Sequence, residues 1–250
     1  PRGGNPEKVA VRGLSLGMHA GEVLGYIGSN GAGKSTTINM ISGLLKPTSG
    51  TATIFGLDIR SDMEKIHSMM GVCPQDNLIW ERLTADETTR FYGRLKGLSG
   101  KALDEAVKQT LTAVSLQNEG SKLAGEFSGG MKRRLCVACA VIGDPKVIIL
   151  DEPSTGLDPR SRRELHKCIL RFKRNAAIFL VTHSHAEATL LCDRVAIFMG
   201  GELRTVGTVA EVKARHGKGY RVSISADTPY EEIATFMERN FDGVERGQTL

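Results

Sequence analysis

The stretch Gly28-Ser-Asn-Gly-Ala-Gly-Lys-Ser35 constrains this chain more than any other. Just before it, residues 23–27 form an unbroken run that reads as a strand, and residues 35–42 just after it read as a helix. A GxxxxGK[ST] pattern between a strand and a helix is the context in which a loop cradles phosphate. Its glycines let backbone N–H groups turn toward an anion, and the helix start adds a favourable dipole. Lys34 would reach the outer phosphates of a nucleotide, and the Ser35 hydroxyl would ligate Mg²⁺. Gly28, Ser29, Asn30, Gly31, Ala32 and Gly33, followed by Thr36, complete the expected binding loop.

The rest of the chain alternates short apolar strands with amphipathic helices, an α/β pattern. Strands are expected at 9–16, 51–55, 147–150, 177–181, 195–199 and 202–206, with Val72 leading into a loop at 74–77. Residues 147–150 are wholly apolar, as in a central parallel strand buried on both faces. From Thr84 to about Leu116 the period becomes helical, with Leu103, Ala106, Val107, Leu111 and Val114 on one stripe. This block interrupts the alternation and reads as an inserted helical subdomain, about 78–143. Further helices are expected from Ser128 to about Gly143 and over 161–173. A linker follows at 216–219, then a strand at 220–226 and a helix at 230–240. The expected division is a domain at 1–216 and a second, incomplete unit at 217–250.

Composition narrows the class. Glycine is in excess, 29 of 250 residues, without a fixed period. The five cysteines are an odd number scattered through apolar runs, which fits a reducing compartment and no disulfide framework. No uncharged stretch reaches the roughly 18 residues of a membrane helix, and no basic-then-apolar leader is visible. The net charge is +5; residues 217–250 carry four Lys/Arg and six Asp/Glu, hence −2, leaving +7 on the rest. A mildly basic body suits a polyanion without choosing among nucleotide, nucleic acid and membrane headgroups.

Further motifs supply chemistry. The apolar run at 147–150 ends in Asp151-Glu152, at the crevice where open α/β sheets bind ligands. Asp151 is the natural Mg²⁺ partner, and Glu152 would orient or deprotonate a water attacking the terminal phosphate. Phe127-Ser-Gly-Gly-Met131 is a second glycine-rich helix start: Ser128 would cap the helix, and Gly129 and Gly130 would leave N–H groups for another anion. Gln75 lies in a loop after a strand, and His183 follows another.

Taken in order, these motifs resemble an ABC ATPase over roughly residues 8–216. They are the phosphate loop, Gln75 in Pro-Gln-Asp, Phe127-Ser-Gly-Gly-Met, Asp151-Glu152, Ser154-Thr-Gly-Leu-Asp158 and Thr182-His183. Leu191-Cys-Asp-Arg-Val and Ser128-Gly-Gly-Met-Lys-Arg-Arg-Leu are similar to subfamily A, the lipid-exporter group. Residues 219–250 resemble the start of the small regulatory domain of that group. The resemblance implies ATP and Mg²⁺ as cofactors and a mostly parallel sheet with an antiparallel N-terminal β part. Two cassettes would pack head to tail, each ATP lying between the loop of one and Ser128–Gly130 of the other. Gln75 would join metal to transmembrane domains through residues 75–80, Asp158 would link the two sites, and His183 would hold the γ-phosphate. The implied place is the cytosolic face of a membrane, with no nucleic-acid partner.

This sequence departs from the family pattern where Met131 stands for the usual glutamine of the signature. The aromatic that stacks on adenine is also absent from residues 1–8, placing it upstream of Pro1 unless Tyr26 takes that role. A soluble ABC ATPase acting on ribosomes or DNA is the rival reading. A GTPase is disfavoured, since no Asn-Lys-x-Asp is present, and intact Glu152 and His183 argue against a binding-only cassette. Cys136 and Cys139 read as core, Lys132-Arg-Arg134 as a solvated helix face, and Trp80 as either subdomain core or the groove for a membrane domain.

Overall fold

The computed structural model describes residues 9–217, 224 and 227–241. The chain divides into two compact units, Pro1–Arg215 and His216–Leu250. In the first, β1 (Val23–Ile27) leads to α1 (Lys34–Ile41), then to a two-stranded antiparallel hairpin, β2 (Thr53–Ile54) and β3 (Leu57–Asp58). Next come α2 (Met63–Met69), β4 (Met70–Cys73) and the inserted helices α3 (Ala85–Leu95), α4 (Gly100–Ala113) and α5 (Gly129–Val141). Then β5 (Val147–Asp151), α6 (Pro159–Phe172), β6 (Ala177–Thr182), α7 (His185–Leu191), β7 (Arg194–Met199), β8 (Glu202–Thr208) and α8 (Val209–His216) complete it. In the second unit the described helix is α9 (Tyr230–Asn240); the strand expected at 220–226 falls, apart from residue 224, outside the described residues.

One sheet organises the first unit, in the order β4-β5-β6-β1-β7-β8, parallel except for β8. Strands bounded by helical layers must be apolar on both faces, and β5 shows how that is met. Val147 and Ile149 join one apolar cluster with Tyr26, Ile38 and Phe198, whereas Ile148 and Leu150 join another with Leu135, Leu165 and Ile169. The two-residue period of the strand therefore serves two cores at once.

The helical block is two helices where one long stretch is expected. Thr84 opens α3 in a capping box with Glu87, satisfying otherwise orphaned N–H groups. Gly97, at φ 83°, ends the run before α4.

Residues 9–16 differ from expectation: they are not a strand. Gly13, at φ 60°, interrupts extended backbone, and the Arg12 N–H donates to the Gly201 carbonyl at 2.6 Å. The apolar residues Val11, Leu14 and Leu16 instead pack singly against the Tyr26–Phe198 cluster. Helices α2, α7 and α8 were not foreseen, because seven or eight residues carry too little periodicity.

Candidate active site

The carboxyl ends of the parallel strands open onto a cleft of about 580 Å³, lined by Asn30, Gly31, Lys34, Ser35, Gln75, Asp151, Glu152, Thr155 and His183. Each comes from a turn that the sheet delivers to one edge: the loop after β1, the turn after β4, the end of β5 and the residue after β6. Ligands bind in such crevices because strand ends and helix starts converge there.

The loop after β1 depends on its glycines. Gly33 is the residue before α1 and sits at φ 106°, a conformation costly for any side chain. A Cβ on Gly28 would lie 2.3 Å from the Phe198 carbonyl oxygen, so the loop packs directly on β7. No side chain caps α1, which leaves its first N–H groups facing the loop. Lys34 is buried, and its Nζ donates to the carbonyls of Gly28 (2.8 Å) and Ser29 (3.1 Å), holding an ammonium inside the loop. Thr37 Oγ1 donates to the Gly33 carbonyl, pinning the first turn. Thr36 and Ala32 are not among the cleft-lining residues.

Opposite the loop stand two carboxylates in different surroundings. Burial, with Glu152 adding to it, pushes the Asp151 carboxyl above its ordinary range; Lys34 and Arg133 partly offset this. Glu152 has φ 44°, strained for a non-glycine residue and of the kind that clusters at functional sites. Its Oε2 lies 3.2 Å from His183 Nδ1 and accepts from Thr155 Oγ1 at 3.2 Å. Thr155 lies within the Ser154-Thr-Gly-Leu-Asp158 motif but was not among the expected site residues, since the spacing does not show that its hydroxyl reaches Glu152.

Support for His183 is equally indirect. Burial works to raise the Glu187 carboxyl, but hydrogen bonds from His166, Thr182 and Ser154 hold it below its usual range. His166 Nε2 lies 3.1 Å from Glu187 Oε1, both groups buried. Glu187 thus ties Thr182, at the strand end before His183, to Ser154 in the turn after Glu152, and its contact with His166 joins α7 to α6.

Besides Gly28, Ser29, Ala32, Gly33 and Thr36 of the loop, four expected site residues from elsewhere in the chain are not among those lining the cleft. Ser128 caps α5, its Oγ accepting from the Met131 N–H at 3.3 Å, while Gly129 is exposed. Asp158 caps α6, accepting from the N–H groups of Arg160 and Ser161. A Cβ on Gly130 would meet Ser161 Oγ at 2.3 Å, so the two helix starts pack together. Within one chain, then, Ser128, Gly129 and Asp158 are exposed around the buried contact of Gly130 with Ser161, apart from the cleft.

The solvated face expected at Lys132-Arg-Arg134 is a correction: Arg133 and Arg134 are buried. Arg133 is held by main-chain carbonyls and Arg134 is paired with Glu164. Tyr26, the alternative base-stacker, is fully buried between Phe179 and Phe198, its hydroxyl pushed up to about 12 chiefly by burial. It cannot reach a base. Burial likewise pushes the Cys136 thiol up to about 12 and the Cys139 thiol well up, as for core cysteines. Trp80 is 49% exposed, edge-on to Phe91 and stacked on Tyr92, so it caps an aromatic surface and is not core.

A parallel sheet whose strand ends bring together a glycine loop, its lysine and a strand-end carboxylate pair defines a P-loop nucleotide-binding domain. Comparison with known proteins places it further. The family model described as ABC transporter matches residues 11–155. ABC transporter A family members 7 and 10 of Arabidopsis thaliana are 53% and 54% identical over 233 and 239 residues. Those stretches are 92% and 95% of this chain but 25% and 26% of the relatives. This chain therefore spans about a quarter of the length of these relatives. Among solved structures, an ATP-binding subunit of an ABC transporter superposes with TM-score 0.76 at 31% identity, covering 86% of this chain and 90% of that one. The cbiO1 protein of Clostridium perfringens, part of the ABC transporter complex cbiONQ, gives TM-score 0.76 at 26% identity, covering 92% and 88%. The chain belongs to the ABC transporter family, as an ATPase domain of subfamily A.

Proposed function

We propose that this domain binds Mg-ATP in the cleft and hydrolyses it as one half of a head-to-tail pair of cassettes. The cycle of closing and opening would drive transport, of lipids on the subfamily resemblance, across a membrane. The observation that carries this is the meeting of Lys34, Ser35, Gln75, Asp151, Glu152 and His183 around one cleft, though they come from turns scattered between residues 28 and 183. Partners would be a second cassette and transmembrane domains engaging residues 75–80, where Trp80 is exposed. Among the described residues no helix is long and apolar enough to cross a membrane. The domain would lie at the cytosolic face, with residues 217–250 beginning a regulatory domain.

The residues fit both ligands. The uncapped start of α1 and the close-packed Gly28 form a cradle that side chains would fill, suited to phosphate oxygens. Ser35, Gln75 and Asp151 offer hydroxyl, amide and carboxylate oxygens, the hard donors Mg²⁺ prefers. Bound there, Mg²⁺ would neutralise phosphate charge. Lys34 supplies a second positive charge. Glu152 accepts the proton of the attacking water, held in place by Thr155 and His183.

Glu152→Gln keeps shape and hydrogen bonding but removes the base, so kcat should fall by about 10²- to 10⁴-fold while ATP still binds. Unhydrolysed Mg-ATP should then hold two chains together, a dimer visible by light scattering with Mg-ATP and absent with ADP. A mutant that hydrolyses normally removes Glu152 from catalysis; one that is inactive but stays monomeric argues against pairing of identical chains.

A further inference from the structure

Arg133 is only 2% exposed, and among the described residues no carboxylate pairs with it. Its guanidinium is instead divided among main-chain carbonyls. Nε donates to Pro153 at 2.9 Å and Nη2 to Asp151 at 2.8 Å. Nη1 donates to Pro74 at 2.7 Å and Gln75 at 2.9 Å, with Asn77 Oδ1 at 3.5 Å. A buried cation with no carboxylate in direct contact, Asp151 acting on it only through space, is a poor device for stability, since apolar side chains of similar volume usually serve a core better. What it provides is geometry. The planar fork of an arginine fixes several acceptors at once, which a lysine, as a point charge, does not.

We propose that Arg133 is a positioning residue that couples three parts of the site: the turn bearing Gln75, the strand end bearing Asp151 and Glu152, and the helix α5 that begins at Ser128–Gly130. The proposal rests on the reading of the cleft as an Mg-ATP site. The carbonyls of Gln75 and Asp151 are tied to one guanidinium, while the side chains of both residues line the cleft. Their separation is therefore set by Arg133. Displacement of either is passed to the first turns of α5, where Ser128 and Gly129 face solvent. The exposed aromatic surface at Trp80 begins five residues after Gln75, so it lies on the same lever.

The test uses the full 250-residue chain and its single tryptophan, Trp80, as a reporter. Arg133→Lys keeps the charge but loses the fork. Its kcat for Mg-ATP should fall by about 10- to 100-fold, the cost of a small misplacement of reacting groups, with KM unchanged. The change in Trp80 emission on adding Mg-ATP should be lost. Arg134→Lys is the control: its partner is Glu164 on α6, so it should lower melting temperature without altering kcat or the Trp80 response. Wild-type kcat and a wild-type Trp80 response in Arg133→Lys would overturn the coupling. Should that variant fail to fold, hydrogen exchange of the wild type decides. Mg-ATP should slow exchange at 74–80 and at 129–134 together with 151–155; protection of 151–155 alone overturns the proposal. A wild-type chain that neither binds nor hydrolyses Mg-ATP would instead overturn the reading of the cleft, and the coupling with it.

Discussion

Two glycine-rich helix starts look alike in this sequence, and the fold treats them oppositely. At α1, no side chain caps the helix, Gly33 holds a left-handed conformation and Lys34 sits inside the loop. At α5, Ser128 already satisfies an N–H, Gly130 is wedged against Ser161, and the turn lies outside the cleft. The first is built to receive an anion within one chain. The second has one N–H already taken by Ser128 and is exposed at Ser128 and Gly129. Glycine and a helix N-terminus are thus not enough for a binding site; what matters is whether the orphan N–H groups already have partners.

The contrast is most sharply tested at Lys34. Lys34→Ala should lower ATP affinity by roughly 10- to 100-fold, the range of a lost charge-assisted hydrogen bond, and bring hydrolysis below detection. Calorimetry without nucleotide should show a melting temperature close to that of the parent. A loss of stability comparable to a core truncation would mean Lys34 holds the loop together and is not reserved for phosphate.

The glycines offer a paired test with opposite signs. Gly33→Ala must adopt φ 106° and place its Cβ 2.3 Å from the Ala10 carbonyl oxygen. It should cost about 1–3 kcal/mol and weaken ATP binding. Gly129→Ala meets nothing within 4 Å and sits in the first turn of a helix. It should raise stability by up to about 0.5–1 kcal/mol and leave single-chain ATP binding unchanged, while slowing hydrolysis if a second cassette must approach. Equal losses of ATP affinity in the two variants would erase the distinction between the helix starts.

Ser128→Ala should cost about 1 kcal/mol for a lost cap, read as a lowered denaturation midpoint, with ATP affinity in the monomer unchanged. An affinity loss in dilute chain would place Ser128 in the same chain's site after all.

Part of the candidate site was legible because it is written in local spacing. The phosphate loop and Asp151-Glu152 each stand at the end of a strand that the alternation of apolar runs reveals, and a parallel sheet brings strand ends to one edge; Gln75 and His183 follow strands too but were picked out only by the family resemblance. The helix start at Ser128 was legible as a cap, since capping is a contact of two or three residues' reach; that Asp158 caps α6 came from the structure. Less legible was residues 9–16, whose apolar spacing suggested a strand; a single positive-φ glycine and packing on a distant cluster decided otherwise.

What sequence by itself determined here is the list of candidate site residues and the central strands that carry most of them. The tertiary structure alone decided which charges are buried and what they hold. Arg133 reads as one of three exposed cations until a turn 59 residues earlier and a strand end 18 residues later supply its acceptors. The pairing of His166 with Glu187, and the burial of Tyr26 away from any base, were decided in the same way. Propensity and period act over a few residues, whereas the solvation of a charge depends on everything that packs around it, and only the folded chain assembles those neighbours.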